Sequence, residues 1–229
     1  MGNKSRILGI IPARGGSKRI PKKNIIKLKG QPLISYTINA GLKSKKIDRL
    51  VVSTDDREIA RVSKDCGAEV MMRPENLARD ETPTLPIIRH VIKELEKSNY
   101  SPDMVMILQP TSPMRTSVDI DNAIGMMLKK RADSLVSVCL ANENARWTYT
   151  IRRGNIEPFT KTKKHQREQT LLVYKKNGAI YLAKKDTLMK NDKVFDRGSL
   201  AFVMPRERSI DIDEPVDLKT AEMLLRKTT

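Results

Sequence analysis

Ile7-Leu8-Gly9-Ile10-Ile11-Pro12-Ala13-Arg14-Gly15-Gly16-Ser17-Lys18-Arg19 is the stretch on which the fold turns. Its first half is apolar without polar alternation, the pattern of a strand buried on both faces, and Pro12 ends it. Its second half joins two adjacent glycines to Arg14, Lys18 and Arg19, with Lys22 and Lys23 close behind. Glycines let a backbone approach a ligand closely, and their amides can form an anion-binding nest. The competing reading is a basic, flexible surface loop. Its place directly after a buried strand favours phosphate binding, because ligands of open α/β sheets sit beyond the carboxyl ends of the strands. The loop is neither a P-loop nor a Gly-x-Gly-x-x-Gly dinucleotide signature.

Outward from this stretch, apolar runs alternate with amphipathic ones. Leu33–Leu42 reads as a helix with Leu33, Tyr36, Thr37, Ala40 and Gly41 on one face and Pro32 in its first turn. Strands are expected at Leu50–Ser53, Val70–Met72, Met104–Leu108, Leu135–Leu140, Gly178–Ala183 and Leu200–Met204. Helices are expected after Asp55 or Asp56, ending at Gly67; from Thr82 or Thr84 to about Lys97; from Ser117 to about Lys130; and from Pro215, with Val216, Ala221, Leu224 and Leu225 inward. Strands without alternation, separated by helices, predict an α/β, mostly parallel sheet covered on both faces. The alternation fails over 141–176, a polar stretch read as an excursion for subunit contact or a lid. With no repeat or linker in sight, residues 1–229 are read as one domain.

Composition sets the partners. The 229 residues hold 44 Lys plus Arg against 27 Asp plus Glu, a formal charge of +17, which asks for an anionic partner: nucleic acid, membrane surface or small molecule. Aromatics make up only 4%, too few for the stacking platforms of single-strand binders. The apolar run at Ile7–Pro12 is far shorter than the roughly 20 residues that span a bilayer, and cations follow it at once, unlike a signal peptide. Two cysteines, Cys66 and Cys139, suit small buried hydrophobes in a reducing compartment rather than a disulfide scaffold. A cytoplasmic protein without membrane or nucleic-acid partners is the expectation.

Two further features bear chemistry. In an extended Ser209-Ile210-Asp211-Ile212-Asp213, alternate residues share a face, so Asp211 and Asp213 point one way and the isoleucines the other. Two carboxylates so paired suit Mg²⁺ bridging to substrate phosphates; the plainer alternative is an acidic segment end, or Asp213 capping the last helix. Leu108-Gln109-Pro110-Thr111-Ser112-Pro113-Met114-Arg115 offers neutral hydrogen bonds on a proline-fixed loop, suited to a base or sugar, or is simply a rigid turn. Neither His90 nor His165 sits in a nucleophile motif, and no Gly-x-Ser-x-Gly elbow occurs. Positioning and electrostatics on a phosphate remain.

The segment Ile11 to Asn24 closely resembles the signature of the acylneuraminate cytidylyltransferases. The resemblance continues in order through Val51-Val52-Ser53-Thr54-Asp55-Asp56, Arg73-Pro74 with Leu77-Ala78-Arg79-Asp80, Gln109 to Pro113, Asn177-Gly178-Ala179-Ile180-Tyr181, and Ser209 to Asp213. It implies a Rossmann-like nucleotidyltransferase, working as a homodimer, that moves CMP from CTP to the anomeric hydroxyl of a nine-carbon α-keto acid sugar and releases pyrophosphate. Carried residue by residue, it implies Arg14, Ser17 and Lys18 on the triphosphate, with Arg14, Lys18 and Asp211 as the catalytic set. Lys23 and Asn24 fall near the nucleotide, and Arg73 and Asp80 around the cytidine. Gln109, Thr111, Arg167, Gln169, Lys175 and Tyr181 fall at the sugar, Arg167 and Gln169 reaching the partner's site. Asp211 and Asp213 fall at Mg²⁺.

Lys175 stands where well-studied members carry arginine, and Val194-Phe195 where some place two phenylalanines beside the N-acyl group. Relatives that activate the eight-carbon acid Kdo carry a first loop unlike Gly15-Gly16-Ser17-Lys18. Kdo, or another sugar of the same fold's enzymes, is the alternative substrate. A basic nucleic-acid-binding protein is the alternative from another class. Cations spread from Lys4 to Lys227, rather than clustered with aromatics, speak against it.

Overall fold

The computed structural model describes residues 5–79, 81–141, 148–153, 155–158 and 172–225. The chain runs β1 (Ile7–Pro12), β2 (Lys27–Leu28), β3 (Gln31–Pro32), α1 (Leu33–Leu42), β4 (Arg49–Thr54), α2 (Arg57–Asp65), β5 (Glu69–Met72), α3 (Thr84–Lys97) and β6 (Met104–Ile107). It continues with α4 (Ser117–Lys130), β7 (Ser134–Leu140), β8 (Tyr149–Arg152), β9 (Asn155–Pro158), β10 (Tyr174–Lys184), α5 (Lys185–Lys190), β11 (Leu200–Val203) and α6 (Pro215–Leu225).

A seven-stranded sheet takes the order β11-β7-β10-β6-β1-β4-β5. β1 pairs in parallel with β4 on one side (Leu8 opposite Arg49) and β6 on the other (Ile7 opposite Met104). Alternation along β1 feeds two cores. Ile7 and Ile11 pack with Ile34 and Ile38 of α1 and Ile120 and Ile124 of α4. Leu8 and Ile10 pack with Ile88, Val91 and Ile92 of α3. Covering both faces explains why the strand sequence shows no polar alternation. Each such side chain contributes roughly 1.5–3 kcal/mol by leaving water.

Local signals set the helix ends. Asp56 caps α2, its carboxylate accepting from the amides of Glu58 and Ile59. Thr116, not Ser117, caps α4, in a reciprocal box with Asp119.

The structure corrects several expectations. The strand expected at 178–183 starts at Tyr174, because residues 174–176 pair with Val138, Cys139 and Leu140 of β7. Those residues leave the predicted excursion and join the sheet. β10 is antiparallel to both neighbours, which strand-by-strand reading did not foresee. Helix α1 is buried nearly all round rather than on one face. In α6, Val216 is exposed, and Leu218, Ala221 and Leu225 turn toward Leu28 and Leu33. Within 141–176, the described residues include a β8–β9 hairpin separate from the main sheet, with Ile151 77% and Ile156 68% exposed. Among the described residues no helix is long and apolar enough to cross a membrane.

Candidate active site

The carboxyl ends of β1, β5 and β6 open onto one cleft of about 690 Å³. Pro12, Arg14, Ser17, Lys18, Lys23 and Asn24 line it from the first loop, and Arg73 lies behind β5. Gln109 and Thr111 follow β6, and Asp211 and Asp213 close the opposite wall. Residues far apart in sequence thus meet where an open sheet places its ligand. Arg19 and Arg79 add two cations to the lining.

The first loop is not the nest its glycines suggested. The left-handed glycines among the described residues are Gly30, Gly67 and Gly178, so Gly15 and Gly16 are not used for their backbone freedom. Gly15 is required for space: a Cβ there would stand 2.7 Å from Asp56 Oδ2. Its amide donates to Asp55 Oδ2 at 3.3 Å, and the Ser17 amide donates to the Gly15 carbonyl. Both amides are engaged within the protein, which leaves anion attraction largely to the side chains of Arg14 and Lys18. Asn24 is buried and donates to the Arg14 carbonyl at 2.8 Å, pinning the loop from below.

Asp55 holds two parts of the cleft together. Its Oδ1 accepts from Arg73 at 2.7 Å while Oδ2 takes the Gly15 amide. The Arg73 side chain is 2% exposed, and its Nε has no partner in the protein.

Ser209 to Asp213 lies outside the sheet, in no helix or strand, and Ser209 itself, at φ −111° and ψ 22°, is not extended. Its tie to the β6 loop is the Ile212 amide donating to the Thr111 carbonyl at 2.8 Å. Ile212 is fully buried while both aspartates line the cleft, so the alternation expected of this segment holds. Asp217, in the first turn of α6, accepts from the amides of Asp213 and Glu214 and so ties the acidic segment to that helix. Burial pushes the Asp211 carboxyl up; a Thr111 hydrogen bond opposes this, and the charge of Asp213 adds to it. Asp211 Oδ1 is buried without a partner. An orphaned carboxylate oxygen beside a second carboxylate fits a hard divalent cation. Among the described residues no cluster of three or more His, Cys, Asp or Glu could form a metal cage, so such an ion would draw further oxygens from phosphate and water.

Two of the predicted sugar residues do not line the cleft. Lys175 is exposed on β10 opposite Cys139. Tyr181 is half-buried, stacks on Phe195 with ring centroids 5.7 Å apart, and has its phenol pushed up by burial and then by Asp211. Asp80, Arg167, Gln169 and His165 lie outside the described residues.

Sequence reasoning assigned no role to three groups beside the cleft. Asn177 is buried in a bulge of β10. Arg115 is buried, donates to the Ala179 carbonyl at 2.8 Å, and is brought down by burial to about 9, still protonated at neutral pH. Asp119 grips Arg208 through two hydrogen bonds and holds the chain just before Ser209. Asn177-Gly178 carried a turn signal, but which loops it would meet depends on strand order.

A mostly parallel sheet whose carboxyl edge opens on a cation-lined cleft, with two carboxylates facing it, defines a Rossmann-like nucleotide-handling α/β protein. Comparisons with known proteins narrow the class. The family described as Cytidylyltransferase matches residues 8–224. A CMP-N,N'-diacetyllegionaminic acid synthase of Legionella pneumophila is 35% identical over 96% of this chain and 96% of its own length. A pseudaminic acid cytidylyltransferase of Campylobacter jejuni is 34% identical, with 96% of each chain covered. An N-acylneuraminate cytidylyltransferase of Escherichia coli is 31% identical over 98% of this chain, which spans only 53% of that longer protein. A solved CMP:2-keto-3-deoxy-manno-octonic acid synthetase complexed with CTP superposes with a TM-score of 0.74 at 17% identity, covering 98% of this chain and 100% of that one. The chain belongs to the cytidylyltransferase family.

Proposed function

We propose that this chain transfers CMP from CTP to the anomeric hydroxyl of a nine-carbon, sialic-type α-keto acid sugar and releases pyrophosphate. The observation that carries this is the meeting of Arg14, Lys18, Lys23 and Arg73 with Asp211 and Asp213 around one cleft. The sugar class comes from the relatives, named for acylneuraminic, legionaminic and pseudaminic acids. The Kdo enzyme is similar in fold alone.

In the reaction, the sugar hydroxyl oxygen bonds to the α-phosphorus. The bond from that phosphorus to the oxygen bridging the β-phosphate breaks, pyrophosphate leaves with that oxygen, and the hydroxyl proton passes to solvent. Arg14 and Lys18 offset the charge that gathers on departing pyrophosphate. Arg73, held by Asp55, presents a fixed cation on the nucleotide side. Gln109 and Thr111 give neutral hydrogen bonds that orient the sugar acid. Lys23, bound to Asp213 at 2.9 Å, joins the phosphate loop to the acidic wall. Asp211 and Asp213 would hold Mg²⁺, which when bound withdraws charge from the α-phosphate.

We further read the chain as a cytoplasmic homodimer. The exposed Ile151 and Ile156 of the β8–β9 hairpin support a subunit contact there, and the free thiols of Cys66 and Cys139 support a reducing compartment. Mass spectrometry of CTP incubated with N-acetylneuraminic, legionaminic or pseudaminic acid tests the activity; no CMP-sugar from any of them contradicts it.

A further inference from the structure

We infer that Asn177, which touches no substrate in the proposed reaction, is a positioning residue that locks the acidic segment bearing Asp211 and the loop bearing Gln109 into one register. The inference rests on the proposed function, because it gives those two side chains their tasks.

Strand β10 changes register against β7 between Lys176 and Tyr181, and the residues between form a bulge at the cleft wall. Gly178 adopts φ +73° there, and a Cβ on it would stand 2.6 Å from Gln109 Oε1 and 2.8 Å from Asp211 Oδ2. The two side chains therefore converge over a residue that has none. Neither comes from β10, so something must bring their segments to it.

Asn177 makes those connections. It is 2% exposed. Its carbonyl accepts from Ser112 Oγ at 3.3 Å, three residues after Gln109. Its side-chain Nδ2 donates to Ser209 Oγ at 2.8 Å, two residues before Asp211. Its Oδ1 accepts from Ser137 Oγ at 2.6 Å and from the Ala179 amide at 3.2 Å. A backbone amide can only donate, so Oδ1 must face Ala179 and Nδ2 must face Ser209. Ser209 in turn donates to the Pro205 carbonyl at 2.7 Å, which leaves its oxygen to accept from Asn177. One buried residue thus reaches the sugar loop through its backbone and the acidic segment through its side chain. Outer partners that orient metal-holding carboxylates tune the metal as well as the fold.

The two arms can be cut separately. Manganese binding, read by electron paramagnetic resonance in the presence of CTP, reports on Asp211 without turnover. The KM for N-acetylneuraminic acid reports on Gln109, and thermal melting reports on folding. Ser209→Ala should weaken Mn²⁺ binding by about 10-fold, the lower end for an outer-partner change, with little loss of melting temperature because Ser209 is half-exposed. Ser112→Ala should raise the sugar KM and leave Mn²⁺ binding unchanged. Asn177→Ala removes the side-chain arm but keeps the carbonyl that accepts from Ser112, so it should weaken Mn²⁺ binding and leave the sugar KM near wild type; should it fail to fold, the two serine variants decide. Wild-type Mn²⁺ affinity in Ser209→Ala overturns the inference and leaves the proposed function standing. A wild-type chain that binds no Mn²⁺ with CTP overturns both.

Discussion

Lys23 Nζ stands 2.9 Å from Asp213 Oδ1, joining the phosphate loop to the acidic segment across 190 residues of chain. The lysine side chain is 17% exposed and the aspartate 56%. So open a pair contributes at most about 1 kcal/mol to stability. Its value lies in holding a cation at the mouth of the cleft. Lys23→Met should raise the KM for CTP several-fold while melting almost as wild type does. An unchanged KM would show that Lys23 serves only the ion pair.

Asp211 makes a test of opposite sign. Burial raises its carboxyl above the ordinary 3.8, so the folded chain holds that proton more tightly than the unfolded chain. The stabilising contribution is complete below 3.8 and disappears as pH rises through the raised value. Above the raised value the buried carboxylate, its Oδ1 without a partner, is therefore a cost to the metal-free fold. Asp211→Asn should raise metal-free stability at pH 7 by about 1 kcal/mol while abolishing most turnover. A variant less stable than wild type without metal would contradict this, as would near-normal activity with Mg²⁺.

Gly178 allows no side chain for two independent reasons, its positive φ and its contact with Gln109 and Asp211. Gly178→Ala should cost about 1–3 kcal/mol, measured by urea denaturation, and should lower turnover more than Lys23→Met does. Wild-type turnover in a folded Gly178→Ala chain would mean that Gln109 and Asp211 can part without consequence.

Acid stability depends on Asp119. Burial pushes its carboxyl up, but the hydrogen bonds from Arg208 and Thr116 outweigh burial and hold it below 3.8. A lowered carboxyl contributes stability above the unfolded value, lost as pH falls through the folded one. Arg208→Met removes that contribution, so its acid unfolding midpoint, followed by circular dichroism, should move to higher pH. A midpoint that stays in place would mean that Thr116 alone sustains Asp119.

Much of this architecture is legible in the chain because the signals are local. β1 occupies Ile7–Pro12 and α1 occupies Leu33–Leu42, both as read from apolar runs and Pro12 or Pro32. Arg14, Lys18 and Gln109 could be placed in one cleft from the rule that loops after parallel strands share an edge, whereas Asp211 was placed there by its pairing with Asp213 and by the resemblance of Ser209 to Asp213. The antiparallel course of β10 could not be read, since an apolar run does not name its neighbours. Asn177 was missed for the same reason: its partners Ser112, Ser137 and Ser209 lie 32 to 65 residues away. Gly15 misled because glycine signals either backbone freedom or lack of room, and here Asp56 makes it the second.

Pyrophosphate release tests the central claim most directly. Purified chain with Mg²⁺ is given CTP, UTP, GTP or ATP, each crossed with N-acetylneuraminic, legionaminic and pseudaminic acids and Kdo. The cleft and its family predict release with CTP and at least one nine-carbon acid, and none with CTP alone. Release only with Kdo or another nucleotide, or no release with CTP and any of the nine-carbon acids, would contradict the assignment.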